Sequence, residues 1–359
     1  MSDEAWDQAG FRTRIQDALD HFLDEQATRL APLGDDASRL LSEARASVSG
    51  GKRFRAAFCY WGFRAVVGPE VDEPDETALL RACAALELLH ASALAHDDYM
   101  DASDTRRGRP ATHRGFAAEH RRDGWRGDPE RYGAAAAILL GDLLLSWTDE
   151  LLRRCGLPLA RVAAALELLD RCRSEVITGQ FLDVSVQARG SADVDAAMTV
   201  LRYKSAKYSI ERPLHIGAAL AGASEDQLRQ LSAFGLPLGE AFQLRDDLLG
   251  VFGDPSTTGK PAGDDLVEGK RTVLVALTLD AAGAEDAARV DAALGSDLSA
   301  DEVAELRRII DESGAREQVE AVIGELSTTA TDSLTRADLD PAARAVLLKL
   351  ATAVTVRAV

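Results

Sequence analysis

The sequence predicts an all-α fold, a bundle of helices. Helix-favouring residues such as Ala, Leu, Glu and Arg are abundant, and only 5% of the 359 residues are aromatic. Apolar residues make up 46% of the chain, which is enough for a sizeable core, and no useful length of sequence alternates as a strand would. Because no stretch resembles a linker, we expect one domain over residues 1–359.

Long segments with apolar residues at helical spacing follow one another along the chain. They cover residues 11–41, 77–96, 134–154, 159–185, 194–221, 224–249, 271–282, 300–313 and 316 to the end. The breaks at residues 68–76, 104–115, 121–133 and 250–269 are rich in Gly, Pro and charge, so we expect surface loops there. This alternation is typical of antiparallel helices in a bundle.

The charge of the chain limits its partners. With 59 acidic and 41 basic residues, the net charge is -18. Such a chain repels a phosphate backbone, which argues against nucleic-acid or anionic-membrane binding. An anionic substrate must therefore be held by local cations or by metal ions.

The cysteines and the N-terminal residues predict the cellular compartment. Cys59, Cys83, Cys155 and Cys172 stand singly in apolar surroundings, without the spacing of a zinc site. The first residues carry acids rather than a basic leader, and no uncharged apolar run reaches membrane-spanning length. We expect reduced cysteines, no export signal and a soluble cytoplasmic protein.

The first chemical motif is the acidic end of the apolar segment 77–96. Asp97 and Asp101 are four residues apart and so project from one helical face, with Asp98 beside them. Carboxylates held together repel one another, and Mg²⁺ with a diphosphate is a natural counter-charge. Taken alone, the motif also fits a solvated acidic helix end.

A second acidic pair lies far along the chain in an equally apolar segment. Gln243, Asp246, Asp247 and Gly250 fall at positions i, i+3, i+4 and i+7 of a helix. Charges in so apolar a segment need partners. Two helices with paired aspartates can hold one polyanion through several Mg²⁺ ions, so the two motifs together are more specific than either alone.

Basic residues complete the set of candidate diphosphate ligands. They occur in GGKRFR at residues 50–55, in RRGRP at 106–110, and as Lys204, Lys207, Lys260 and Lys270. The flexible glycines precede a helix whose first amide groups also favour an anion, and guanidinium groups suit phosphate. Single lysines are more often solvated surface residues, so these gain weight only as a set.

The motifs GGKRFR, HDDYMDASDTRRGRP, GQFLD, YKSAKYS and FQLRDDLLGVFGD, spread over residues 47–272, carry a family resemblance. The sequence resembles the trans-isoprenyl diphosphate synthases, or polyprenyl synthetases, and its bacterial geranylgeranyl diphosphate synthases in particular. The resemblance implies an orthogonal helical bundle around a deep central cavity, usually in a homodimer. Residues 273–359 would complete the bundle.

The resemblance also implies a role for each matching residue, with about three Mg²⁺ ions per active site. Metal binding falls to Asp97, Asp101, Asp246 and Asp247, with Asp98 in support. Isopentenyl diphosphate is bound by Lys52, Arg55, His90 and Arg107, although His90 also fits an ordinary helix position. The allylic diphosphate is bound by Arg106, Lys204, Ser205, Gln243, Lys260 and Lys270, of which Arg106 and Lys204 join Asp97, Asp101 and Asp246 as catalytic residues.

Two positions depart from the family pattern. Gly250 stands where a third aspartate is common, although Asp254 follows it, and Ser205 replaces a threonine while keeping the hydroxyl. The implied reaction is ionisation of the allylic diphosphate, attack by the isopentenyl alkene and proton loss. It needs no protein nucleophile, and the chain has no G-x-S-x-G elbow or P-loop.

The residues before the first motif predict the product. Ser92 and Ala93 lie one turn before Asp97, where an aromatic side chain would floor the cavity, and Leu89, Leu88 and Leu86 follow on the next turn. We expect geranylgeranyl diphosphate, with a farnesyl or longer product, or ordinary helix packing by small residues, as alternatives. A class I terpene cyclase, a silent partner subunit and a purely structural protein are the other hypotheses.

Overall fold

The computed structural model describes residues 6–356 except 69, 71, 191–192 and 254–262. The predicted all-α class is confirmed. The chain divides into two compact units, one of Met1–Leu166 with Ile216–Gly222 and one of Glu167–His215 with Ala223–Val359. The prediction of a single domain over residues 1–359 stays a prediction.

The first unit is built around one long apolar helix. Its helices are α1 (Gln8–Leu30), α2 (Asp35–Ser47), α3 (Phe54–Val67), α4 (Glu73–Met100), α5 (Thr112–Arg122) and α6 (Pro129–Arg153). Helix α4 packs against α1, α3 and α6. Asp72 caps its first turn by accepting a hydrogen bond from the Asp75 amide at 3.2 Å.

Helix α4 is long and apolar enough to cross a membrane over Asp75–Met100, and it is the one such helix among the described residues. However, 72% of its apolar window is buried inside the protein. The buried side chains include Leu79, Leu86 and Leu88, none more than 2% exposed. Their packing explains the composition of α4 as that of a core helix.

The second unit centres on the helix that carries the second aspartate motif. The elements that follow α6 along the chain are α7 (Leu159–Arg189), α8 (Val194–Leu201), a π-helix (Arg202–Glu211), α9 (Arg212–Ala221), α10 (Glu225–Phe252), α11 (Asp264–Val267), α12 (Val273–Ala281), α13 (Ala284–Ala293), α14 (Ala300–Glu312), α15 (Ala315–Arg336) and α16 (Pro341–Thr355). Helix α10 carries the second motif. Helices α7 and α9 begin or end in the first unit. Helix α10 packs against α15 and the π-helix.

The C-terminal helices hold α10 in place. Arg245, next to the aspartate pair, makes two hydrogen bonds to the Glu320 carboxylate of α15, at 2.5 and 2.7 Å. The same guanidinium donates to the Thr355 carbonyl at the end of α16 at 3.1 Å. Helices α15 and α16 therefore fix α10, and Val319 of α15 belongs to the same buried cluster as Leu244 and Leu248 of α10.

Three predicted helical segments are interrupted. Segment 11–41 breaks at a 3₁₀ turn, Ala31–Leu33, which ends at Gly34 with φ 80°. The C-terminal segment breaks before Pro341, which starts α16. Segment 194–221 contains the π-helix, and the predicted loop 104–115 holds a short antiparallel ribbon of Thr105–Arg106 and Arg109–Pro110.

The π-helix owes its position to glycines on two neighbouring helices. A methyl group on Gly179 of α7 would overlap the backbone of Lys204, and one on Gly239 of α10 would overlap the carbonyl of Ala206. Both glycines lie in helix interiors, where glycine is otherwise unfavourable. They allow the backbone that carries Lys204 and Ser205 to approach both helices closely.

Candidate active site

In the first unit, the first aspartate motif occupies the last turn of α4. The Asp101 amide donates to the Asp97 carbonyl at 2.8 Å, so helical geometry continues through both residues. Asp97 and Asp101 are half-buried, whereas Asp98 is buried and binds the Arg106 guanidinium, whose Nε lies 2.8 Å from its Oδ1. This contact joins Arg106 to Asp98.

Arg53, Arg55, Arg106 and Arg107 lie near His90. Arg107 donates to the Ser49 carbonyl at 2.9 Å, and a methyl group on Gly51 would lie 3.3 Å from the Arg107 guanidinium. The glycine loop and the loop after the first motif therefore meet. Of the three non-glycine residues with positive φ in the described chain, Arg53 and Arg107 belong to this region.

A buried ion pair supports the cationic region. Arg53, at the start of α3 with φ 56°, donates to Glu87 at 2.9 Å and to Gln16 at 2.6 Å. The Arg53 and Glu87 side chains are 3% and 5% exposed. Glu87 also accepts a hydrogen bond from the Ala56 amide at 3.3 Å. The pair fixes the first turn of α3, where Arg55 lies, against the helix that carries His90.

Burial and positive charge keep His90 neutral. Burial lowers the pKa of His90 well below its usual value, and Arg55 and Arg107 lower it further. Burial, followed by the nearby Arg53, also lowers the pKa of Arg107. Repulsion among these cations leaves a strongly positive potential, which a bound anion would relieve.

A cavity of about 440 Å³ lies in the first unit beside the first motif. Its lining includes Ala91, Leu94, Ala95, Asp98, Arg106 and Arg107, but neither Ser92 nor Ala93. Ser92 is 3% exposed and donates to the Gly141 carbonyl of α6 at 2.7 Å. Leu89 is also 3% exposed, while Ala93 is half-buried. Of these three residues, Ala93 has the most accessible side chain.

In the second unit, the second motif lies near the C-terminal end of α10. Asp246 is half-buried and Asp247 is buried. Gln243 donates to Asp247 at 2.8 Å and accepts a hydrogen bond from Ser205, so three predicted site residues form one chain. Burial raises the pKa of Asp247 to about 7, and the charge of Asp265 raises it as well.

Two predicted lysines of this unit, Lys204 and Lys270, are paired with acids. Lys204 binds Asp183 at 2.6 Å, while Lys270 binds Asp265 at 3.2 Å and Glu268 at 2.5 Å. Both lysines therefore differ from solvated surface lysines, because each is held in an ion pair. The predicted contact Lys260 and the alternative Asp254 lie outside the described residues.

Sequence reasoning missed four residues of these regions, namely Arg53, Glu87, Asp183 and Asp265. Asp183 ends the GQFLD motif, and Arg53 lies inside GGKRFR, so both stood within quoted motifs without an assigned role. Glu87 and Asp265 could have been flagged as acids near the predicted site residues His90 and Lys270. Their partners became visible only in the folded chain.

The carboxylates fit Mg²⁺ only if a ligand completes its coordination. Within the described residues, no group of three or more His, Cys, Asp or Glu side chains is arranged to hold a metal ion. Mg²⁺ prefers oxygen ligands, keeps several waters and is usually bound by one or two carboxylates together with substrate phosphates. Pairs of aspartates such as Asp97 with Asp101 therefore suit Mg²⁺ with a diphosphate.

Comparison with known proteins identifies the family. The polyprenyl synthetase model matches residues 38–312. A geranylgeranyl pyrophosphate synthase from Corynebacterium glutamicum, solved with isoprenyl diphosphate and magnesium, has a TM-score of 0.95 and 40% identity, covering 98% of this chain and 100% of that one.

Two curated relatives carry different product names. A geranylfarnesyl diphosphate synthase from Aeropyrum pernix is 32% identical over 276 residues, 76% of this chain and 79% of that protein. A (2E,6E)-farnesyl diphosphate synthase from Mycobacterium bovis is 32% identical over 290 residues, 80% of this chain and 74% of that protein. Family membership is therefore common to relatives with different products. The chain belongs to the polyprenyl synthetase family and is a trans-prenyltransferase.

Proposed function

We propose that this enzyme uses Mg²⁺ to condense isopentenyl diphosphate with allylic diphosphates and that its main product is geranylgeranyl diphosphate. The cluster of arginines around neutral His90 carries this proposal. A chain-elongating enzyme must bind a second diphosphate besides the one that ionises, whereas a terpene cyclase binds one. A positive region distinct from the aspartate motifs is suited to that second diphosphate.

The residues divide between two diphosphates. Lys52, Arg55, His90 and Arg107 would hold isopentenyl diphosphate, and His90 would donate a hydrogen bond from a neutral ring. Arg106, Lys204, Ser205, Gln243, Lys260 and Lys270 would hold the allylic substrate. The ion pairs of Arg106 and Lys204 with aspartates support this role, because they orient both cations before substrate binds.

Asp97, Asp101, Asp246 and Asp247 would hold about three Mg²⁺ ions with the allylic diphosphate. Bound Mg²⁺ would stabilise the negative charge on the departing diphosphate. Arg106 and Lys204 would add donors to the same leaving group. The proton lost after condensation would go to the departed diphosphate, so no protein nucleophile or base is required.

The product length depends on the small residues before the first motif. We expect Ala93 to matter more than Ser92, because Ser92 is buried and bound to Gly141 while Ala93 is half-buried. Ala93→Phe should shorten the main product by about one isoprene unit while leaving the protein folded. In contrast, Ser92→Phe should overpack the contact between α4 and α6 and lower stability by about 1–3 kcal/mol.

A homodimer and a cytoplasmic location remain part of the proposal. In α7, Ile177, Phe181 and Val184 lie at i, i+4 and i+7 and are 56%, 68% and 38% exposed. An exposed apolar stripe of this kind supports an interface with a second copy. Light scattering on the purified protein should give twice the chain mass of 38.4 kDa.

Incubation with Mg²⁺, isopentenyl diphosphate and each allylic primer, with products measured by mass spectrometry, tests the function. We expect a twenty-carbon diphosphate that disappears with EDTA and falls by about a thousandfold in Asp97→Ala. A fifteen- or twenty-five-carbon product would correct the length alone. No elongation with any primer would contradict the proposal and favour a silent subunit, and cyclic hydrocarbon products would favour a cyclase.

A further inference from the structure

Position 250 is the place where this chain departs from the second aspartate motif of its family. The structure shows what fills the space beside the glycine. A methyl group on Gly250 of α10 would overlap the Asp265 carboxylate. Any side chain at position 250, an aspartate included, would compete with Asp265 for the same volume. The glycine therefore lets an acid from another element approach α10.

Asp265 is held in this place by its own helix and by a lysine. It lies in the first turn of α11, whose next residue, Leu266, is 0% exposed in the core of the second unit. The Lys270 amide donates to the Asp265 carbonyl at 3.0 Å, and the Lys270 ammonium binds its carboxylate at 3.2 Å. Asp265 is thus held in place through both its backbone carbonyl and its side-chain carboxylate.

The charge of Asp265 acts on the second motif. Its carboxylate fills the space next to Gly250. Gly250 lies one turn after Asp246 and Asp247 on the same face of α10. The carboxylates of Asp246, Asp247 and Asp265 therefore lie close to one another near the end of this helix. Such a concentration of negative charge is costly unless a cation is bound.

We propose that Asp265 supplies, from the helix that follows, the carboxylate that position 250 lacks in the second aspartate motif. This inference rests on the proposed Mg²⁺-dependent function. Asp265 acts as a positioning residue, because no described group of three acids is arranged to hold a metal ion by itself. Its carboxylate adds negative charge beside Asp246 and Asp247, and its pairing orients Lys270, a predicted diphosphate contact. Loss of such an outer carboxylate typically weakens metal binding by about 10–100-fold.

Mg²⁺ titration in the presence of inorganic diphosphate, followed by calorimetry on the full chain, tests this role without turnover. Asp265→Asn preserves the shape of the side chain and should weaken Mg²⁺ affinity about tenfold. Asp264→Asn, one residue earlier in the same turn, is the matched control and should change it less than about threefold. Circular dichroism should show that both variants keep the helical content of the wild type.

A relocation experiment provides the stricter test. Asp265→Gly should weaken Mg²⁺ affinity as much as Asp265→Asn, and adding Gly250→Asp should restore it to within about threefold of the wild type. Unchanged affinity in Asp265→Asn, or no restoration in the double variant, would overturn the inference and leave Asp265 as a structural partner of Lys270. If the wild type itself binds no Mg²⁺ with diphosphate, the proposed function fails as well.

Discussion

The two units carry candidate site regions of opposite character. In the first unit, burial lowers the pKa of His90 well below its usual value, and the nearby Arg55 and Arg107 lower it further. In the second, burial raises the pKa of Asp247 to about 7, and the charges of Asp265 and Asp246 raise it as well. One region has surplus positive charge and is prepared for an anion, whereas the other has surplus negative charge and is prepared for a cation. Metal dependence should therefore differ between them.

The largest expected effect concerns the buried acid that supports the positive region. Glu87→Ala would leave Arg53 buried without its carboxylate and should lower the free energy of unfolding by about 3–5 kcal/mol. Urea denaturation at pH 7 measures this change. Arg153→Ala, which removes an exposed ion pair with Asp149 in the same unit, should cost less than about 1 kcal/mol. Similar costs for both variants would show that the buried pair has no special role.

The negative region should lose stability as pH rises when metal is absent. Asp247 has a pKa of about 7 when folded, compared with an ordinary value of 3.8, so between these pH values the folded state holds a proton that the unfolded state has lost. In EDTA, Asp247→Asn should therefore gain stability relative to the wild type between pH 4 and 7, by on the order of 4 kcal/mol.

Thermal or urea unfolding across this pH range measures the difference between the two proteins. The difference in the free energy of unfolding should become smaller when Mg²⁺ and inorganic diphosphate are added, because the bound cation favours the ionised carboxylate. A pH-independent difference between Asp247→Asn and the wild type would mean that Asp247 is ionised throughout.

The third prediction concerns the close packing of the π-helix. Gly239→Ala would push its methyl group against the Ala206 carbonyl and should cost about 1–3 kcal/mol. Because Ser205 precedes Ala206, we also expect weaker binding of the allylic diphosphate and unchanged binding of isopentenyl diphosphate. Gly324→Ala, on an open helix surface, should instead stabilise the protein by about 0.5–1 kcal/mol. Equal changes in stability for the two variants would contradict the close packing of the π-helix against α10.

The smallest effect is the pH response of the positive region, which runs in the opposite direction. The pKa of His90 is lowered by burial and by Arg55, so the unfolded state takes up a proton as pH falls through about 6.5 while the folded state does not. The wild type should therefore lose stability relative to His90→Gln toward acid pH. Unfolding curves at pH 5 and 8 compare the two, and a slope of the opposite sign would contradict the assignment.

Local sequence was sufficient to locate most of the candidate residues. Asp97, Asp101, Asp246 and Asp247 stood out because charged residues in apolar helices need partners, and helical spacing gave their common faces. The all-α class followed from the same periodicity. These features depend on neighbours within one or two helical turns, which a sequence displays directly.

The supporting contacts could not be predicted because their partners are distant in sequence or depend on backbone shape. Glu87 meets Arg53 across 34 residues, and Arg245 meets Glu320 across 75. The π-helix depends on glycines in two other helices. Gly250 looked like a lost ligand, because nothing in the local sequence shows that the Asp265 carboxylate fills the adjacent space. Sequence periodicity identifies the buried face of a helix, but it does not show which distant residues contact that face.

The most direct test of the difference between the two regions is calorimetric binding of each substrate with and without Mg²⁺. Isopentenyl diphosphate should bind in EDTA with little change in affinity when Mg²⁺ is added. A non-reactive allylic thiodiphosphate should bind at least about a hundredfold more tightly with Mg²⁺ than without it. If both ligands require Mg²⁺, or if neither does, the two regions do not differ in metal dependence. That result would contradict the claim that their opposite charges separate the binding of the two diphosphates.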